Sequence, residues 1–165
     1  MEANIKFAKV HPDARIPNKR YEDAGLDIYA CFDKDWIRIN PHSSVLIPTG
    51  IASAFDPDWA IVFRERGSTG VKNMKVNAGV IDSGFRGEYF VSIYNGNDAP
   101  LYITKYMNGE QAPEPKNAIL YPYSKAIAQA LIVPVPEANI EEISYAELKN
   151  IPSERGTGMI GSSNK

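Results

Sequence analysis

The sequence predicts an all-β domain, a sandwich or a barrel, and three observations carry that prediction. Short apolar or alternating runs of four to eight residues recur along the chain, from Ile5–Val10 to Ala126–Val133. Each run is bounded by turn chemistry such as Pro41 with Ser43-Ser44, or Asp56-Pro57-Asp58. With 165 residues there is room for one well-cored domain and not for two comfortable ones.

Composition narrows the class. Apolar residues make up 44% and charged residues 23%, the ordinary balance of a soluble globular protein. A net charge of −2 gives no general attraction to a nucleic-acid backbone or an anionic membrane. Cys31 is the single cysteine, which excludes an internal disulfide and a cysteine-based zinc cluster. His11 and His42 lie far apart in sequence and do not suggest a histidine-rich metal site. No apolar run reaches bilayer-spanning length, and the N-terminus carries charges where a signal peptide needs an apolar core. A soluble, cytoplasmic protein is expected.

In chain order, Ile5–Val10 alternates as a half-buried strand does, and 11–21, with two prolines, reads as loop. Asp23–Ala30 is a strand end rich in small residues, with Asp27 among apolar neighbours. Trp36–Ile39 and Val45–Pro48 are further short strands, and Trp59–Phe63 is a continuous apolar run that predicts a strand buried on both faces. Asn77–Asn95 predicts a β-hairpin, with Val80-Ile81 as its outgoing arm and Tyr89–Tyr94 as its return. The stretch 95–125 reads as a polar surface excursion that could hold a small hairpin at Leu101–Tyr106. Ala126–Val133 returns as an apolar strand, and Ser144-x-x-Glu147 is a capping box for a short helical turn. No internal repeat or low-complexity block is visible.

Five patches could carry chemistry. Asp82 sits at the hairpin tip, where a fixed and partly desolvated carboxylate suits a general base and equally caps an Asp-Ser-Gly turn. Arg64–Lys72 crowds guanidinium groups, hydroxyls and glycines at a strand end, a plausible anion cradle and also a common loop composition. Asp27 is either a site acid or a solvated strand end. Gln129, an amide in an apolar strand, is a structural bridge or a ligand contact. The tail Glu154–Ser163 repeats the cradle's chemistry with little apolar material to hold it down, and could close over a phosphate.

Taken together and in this order, the patches resemble the five motifs of the trimeric dUTP pyrophosphatase (dUTPase) family. Asp23–Ala30 is similar to the first, Arg66–Thr69 to the second, Gly79–Gly87 to the third, Ile127–Gln129 to the fourth and Arg155–Ser163 to the fifth. The resemblance implies an all-β, distorted jelly-roll or β-clip subunit that forms a homotrimer with exchanged C-terminal arms. It implies one domain over 1–152 with an extended insertion at 96–124, and a flexible arm over 153–165 that closes an active site. The implied reaction is hydrolysis of dUTP to dUMP and pyrophosphate, which keeps uracil out of DNA and supplies dUMP.

Residue by residue, the resemblance makes Asp82 the catalytic base for water. Arg66, Gly67, Ser68, Gln129, Arg155, Ser162 and Ser163 would hold phosphate. Asn77, Gly79, Val80, Ile81, Phe85, Ile160 and Gly161 would hold uracil and deoxyribose. Mg²⁺ would ride on the triphosphate with no direct protein ligand, reached through water by Asp27 and Gln129. The family usually has Tyr at Phe85, Phe at Ile160, Ser at Gly67 and Arg at Ala126, so either Gly67 or Ser68 fills the second-motif place. Two alternatives remain. One is a dCTP deaminase-like enzyme, disfavoured because Ser92 stands where its Glu would be; the other is a nucleotide-sensing regulator that holds a protein partner through 96–124.

Overall fold

The computed structural model describes residues 2–113 and 117–158. These fall into two compact units divided between Val135 and Pro136.

The first unit is all β apart from one helical turn. In order it carries β1 (Lys6–Lys9), β2 (Leu26–Ile28), β3 (Trp36–Ile39), β4 (Ser44–Pro48), β5 (Ile51–Ala54) and β6 (Trp59–Arg64). Then come α1 (Gly67–Gly70), β7 (Met74–Asn77), β8 (Val80–Ile81), β9 (Phe90–Asn95), β10 (Leu101–Thr104), β11 (Ile119–Pro122) and β12 (Ala128–Pro134). The strands assort into open sheets ordered β1-β5, β11-β10-β3, β2-β12-β6-β8 and β4-β9-β7, a jelly-roll-like arrangement with no closed barrel.

Side-chain alternation explains the layers. Along β9, Val91, Ile93 and Asn95 are fully buried while Phe90, Ser92 and Tyr94 turn outward. Ile28, Ile39, Ile47, Ile51, Ile61, Phe63, Met74 and Ile103 meet these residues in one core, each apolar side chain contributing roughly 1.5–3 kcal/mol by leaving water. Asn95 is a fully buried polar residue beside that core. Its amide nitrogen donates to the carbonyls of Ile39, Asn40 and Ala99, and its oxygen accepts from Asn97, so no polar atom of the amide is stranded.

Two expectations are corrected by the topology. Val80-Ile81 and Tyr89–Tyr94 are not the two arms of one hairpin. β9 pairs with β7, with Val76 opposite Ile93 and Asn77 opposite Ser92, while β8 pairs with β6 in a different sheet. Met74-Lys75-Val76-Asn77 has its own alternation and takes the position beside β9. The chain then changes sheets at Ala78, whose φ is +50°, and Gly79. The 96–124 stretch is not wholly an excursion either. β10 is buried at all four residues and lies between β3, antiparallel, and β11, parallel. The 14-residue connection between β10 and β11 gives the length that parallel pairing needs.

The second unit contains α2 (Tyr145–Asn150). Ser144 and Glu147 form the expected capping box: the Ser144 hydroxyl accepts from the Glu147 N–H at 3.2 Å, and Glu147 accepts from the Ser144 N–H at 2.9 Å. No helix of the described residues is long and apolar enough to cross a membrane.

Candidate functional site

A cavity of about 610 Å³ opens at one end of the β2-β12-β6 sheet and gathers Asp27, Arg66, Gly67, Ser68 and Gln129. Strand register brings these residues together. β12 lies between β2 and β6, and Gln129 stands opposite Asp27 on one side and Arg64 on the other. The chain leaves β6 at Arg64 and turns through Arg66 into α1, so the cradle loop is held at that same level.

The Arg66 guanidinium grips Asp27, with Nε 2.9 Å from one carboxylate oxygen and Nη2 3.4 Å from the other. Both side chains keep about a third of their surface exposed (31% each), so the pair is braced and still reachable from the cavity. Arg66 Nη1 lies 3.4 Å from the Ser68 hydroxyl. The Arg66 N–H donates to the Thr69 hydroxyl at 2.9 Å, and that hydroxyl donates to the Arg66 carbonyl at 3.0 Å, which locks the turn from beneath. Gln129 donates to the Glu65 carbonyl at 2.7 Å, fastening the strand to the loop. Of the alternatives for Gln129, the bridge is therefore present in the fold, while its oxygen faces the Gly25 backbone. A methyl on Gly25 would sit 2.8 Å from that oxygen, so a larger residue there would displace the Gln129 amide.

Gly67 and Ser68 differ. An added methyl at Gly67 meets nothing within 4 Å, and Ser68 supplies the hydroxyl at the cavity wall. Tyr121 lies beside Arg66 and Ser68. It is 1% exposed and donates to the Ala126 carbonyl at 2.6 Å; burial pushes its phenol up, against the pull of the Arg66 charge.

Asp82 lies elsewhere. β8 flanks the other side of β6, with Ile81 opposite Ile61, so Asp82 extends toward the level of Ala60. Ala60 is four residues from Arg64, about 13 Å along an extended strand, and Asp82 does not line the cavity. It is exposed in this chain, and its carbonyl accepts the Phe85 N–H at 3.1 Å in the turn.

The neighbouring residues form a second locus. Phe85 is 45% exposed and stacks on buried Tyr89 with ring planes 13° apart. A methyl on Gly87 would meet the Phe85 ring at 2.7 Å. Asn77 is exposed and donates to the Ser44 hydroxyl at 3.1 Å; Val80 is exposed beside it. Gly79 presses its backbone against Phe63, which donates its N–H to the Gly79 carbonyl at 2.7 Å. Arg155 belongs to the second unit, where its carbonyl accepts the Gly158 N–H. Ile160, Gly161, Ser162 and Ser163 lie outside the described residues.

Three comparisons bear on this arrangement. The family model described as dUTPase matches residues 13–108. A deoxyuridine 5′-triphosphate nucleotidohydrolase of Ralstonia nicotianae is 33% identical, over 100% of this chain and 98% of its own. The chain belongs to the dUTPase family. Among solved structures, a Staphylococcus bacteriophage 80alpha mutant dUTPase with dUpNHpp superposes with a TM-score of 0.77 at 20% identity, over 97% of this chain and 98% of that one. A mutant dUTPase from phage phi11 of S. aureus, in which a structural Mg(II) ion is coordinated, gives 0.66 at 18% identity, over 87% and 99%. At these identities the likeness establishes the shared fold.

In this dUTPase-family chain the cavity also has walls that none of the five patches supplies. Asn18, Lys19 and Arg20 line the cavity from the segment read as plain loop. Arg20 forks onto Asp23 with both contacts at 2.9 Å, and Lys19 donates to the Asp23 carbonyl at 2.7 Å. Two adjacent cations, four and three residues before Asp23, were the available signal. Glu65 was passed over as well. Its carboxylate accepts the Val76 N–H at 2.9 Å, and that bond holds its pKa below the usual carboxylate value.

Proposed function

We propose that this protein hydrolyses dUTP to dUMP and pyrophosphate in the cytoplasm, keeping uracil out of DNA and supplying dUMP. Family membership supports the reaction, and the observation that carries its mechanism is the braced Arg66–Asp27 pair with Ser68 and Gln129 on one cavity wall. Phosphoryl substitution requires positioning and charge neutralisation more than covalent help. Arg66 offers its remaining donors to phosphate oxygens, Ser68 adds a hydroxyl, and Gln129 holds a phosphate-bound or metal-bound water. Lys19 and Arg20 raise the local positive potential at the cavity mouth.

Among the described residues no three His, Cys, Asp or Glu side chains converge, so the donor set suits an ion held chiefly by the triphosphate and by water. Mg²⁺ fits such a site, and Asp27 and Gln129 would hold it through its water shell. Bound there, it would neutralise charge on the triphosphate.

Asp82 orients and deprotonates the water that attacks the α-phosphorus, a role typically contributing about 10²–10⁴-fold. The backbone of Asn77–Ile81 reads the uracil edge and leaves no space for a thymine methyl. Phe85, fixed by Tyr89 beneath it, packs on deoxyribose. Because Asp82 and the cradle lie on opposite sides of β6, a complete site needs a second copy of the chain, and the homotrimer supplies it. Arg155, Ile160, Gly161, Ser162 and Ser163 form the arm that closes over the triphosphate and base.

The test is pyrophosphate release with Mg²⁺ from dUTP beside dCTP, dTTP and UTP, for the wild type and Asp82→Asn. Turnover of dUTP alone, falling at least about a hundredfold in the variant, is expected. Ammonia release from dCTP would instead favour the deaminase, and tight dUTP binding without turnover the regulator.

A further inference from the structure

Glu65 occupies the junction between two loci that the preceding reading treats separately. Its backbone carbonyl accepts from Gln129 Nε2 at 2.7 Å, inside the phosphate cradle. Its carboxylate accepts the Val76 N–H at 2.9 Å on β7, the strand that delivers Asn77 to the base-reading locus. Arg66 follows Glu65 directly and Asn77 follows Val76 directly. One charge-assisted hydrogen bond therefore joins the immediate neighbours of the phosphate fork and of the base reader.

The geometry makes this bond the strand's outer fastening. Among the described residues β7 pairs only with β9, so the Val76 N–H points away from the sheet and Glu65 is what receives it. The second carboxylate oxygen lies 3.7 Å from Arg64 Nε, which restrains the side chain from the β6 end. Burial is partial, with 27% of the side chain exposed, so the carboxylate remains charged and a strong acceptor.

We propose that Glu65 is a positioning residue for base recognition: it holds Val76 and Asn77 in register from the cradle loop and so sharpens the choice of uracil over thymine. The inference rests on the dUTP reading above. A base reader that works by backbone edge contacts has to be fixed to within a few tenths of an ångström, because a methyl group is excluded by space alone.

The test compares wild type, Glu65→Ala and Glu65→Gln by KM and kcat for dUTP and dTTP. Inhibition by inorganic tripolyphosphate, which engages the cradle but has no base, is measured alongside. For Glu65→Ala, KM for dUTP should rise about tenfold, and the dUTP-to-dTTP ratio of kcat/KM should fall by a similar factor, the size expected for one hydrogen bond to a charged group. Tripolyphosphate inhibition should stay within about twofold, since the Gln129 bond uses the backbone of residue 65. Glu65→Gln keeps an acceptor oxygen and should recover most of the loss, leaving about a threefold fall in the ratio. An unchanged ratio in Glu65→Ala overturns the role, as does tripolyphosphate inhibition weakening in step with KM. If Glu65→Ala does not fold, the ratio in Glu65→Gln decides. A wild type that releases no pyrophosphate from dUTP removes the functional reading itself, and this role with it.

Discussion

Gly79→Ala tests whether the crossing between sheets is as tight as the structure makes it. The added methyl would sit 2.5 Å from the Phe63 carbonyl oxygen and 3.2 Å from the Phe63 Cβ. Neither atom can retreat, because Phe63 is 2% exposed and pairs with Ala130 of the central β12. Relief therefore requires breaking the Phe63–Gly79 hydrogen bond and lifting β8 from β6. A lost ladder bond costs about 0.5–1.5 kcal/mol and overpacking about 1–3 kcal/mol, which together give roughly 2–4 kcal/mol. For a chain of this size that corresponds to a fall in Tm of about 4–16 °C. Since Asp82 lies three residues further on, turnover of dUTP should fall with stability. Gly67→Ala is the matched control: its methyl meets nothing within 4 Å, so its stability should lie within about 0.5 kcal/mol of wild type. Thermal unfolding followed by circular dichroism reads both. Equal melting temperatures for Gly79→Ala and Gly67→Ala would refute the steric reasoning.

Two further outcomes follow from the site and the core. Because Asp82 and Arg66 of one chain serve different sites in the proposed trimer, co-refolding inactive Asp82→Asn with inactive Arg66→Ala should restore activity to about a quarter of sites, and restored turnover after mixing is the measurement. Tyr89, Tyr121 and Tyr123 all have phenol pKa values pushed above the ordinary 10 by burial. The folded state thus favours the protonated phenols: their contribution is complete below the unfolded value and is lost as pH rises toward the folded ones. Melting temperature should hold up to about pH 9.5 and fall steeply above it, and Tyr121→Phe should flatten part of that fall. A flat profile to pH 11 would contradict the burial of these rings.

Much of the fold was legible because the strands that build it alternate openly. β1, β3, β4, β6 and β12 carry β-branched or aromatic residues at the expected positions, and the Ser144–Glu147 box announces α2. β5 was not seen, since Ile51-Ala-Ser-Ala offers a single β-branched residue and buries through small side chains instead. The Asn77–Asn95 region was misassigned because proximity in sequence favours pairing Val80-Ile81 with the returning strand, whereas a positive φ at Ala78 turns the chain into another sheet. For the site, residue type and order were enough to single out Asp27, Arg66 and Gln129, which the fold brings to one cavity. That Asp82 would stand apart from them was invisible, because side-of-strand placement depends on pairing. Glu65 escaped notice for a related reason: its partner is a backbone N–H eleven residues away, and no side-chain pattern records such a bond.

The same Glu65 bond has a bearing on how the chain avoids its own kind while folding. An outer strand with free amide groups is a template on which another chain can extend the sheet. By occupying the Val76 N–H with a carboxylate, β7 presents an incoming strand with a charge where it would need a donor site, and Lys75 on the same strand adds an exposed cation. The edge proposed to steady the base reader is thereby also made unattractive to runaway β-pairing, so a chain lacking Glu65 should leave more insoluble material behind during refolding than its melting temperature alone would suggest.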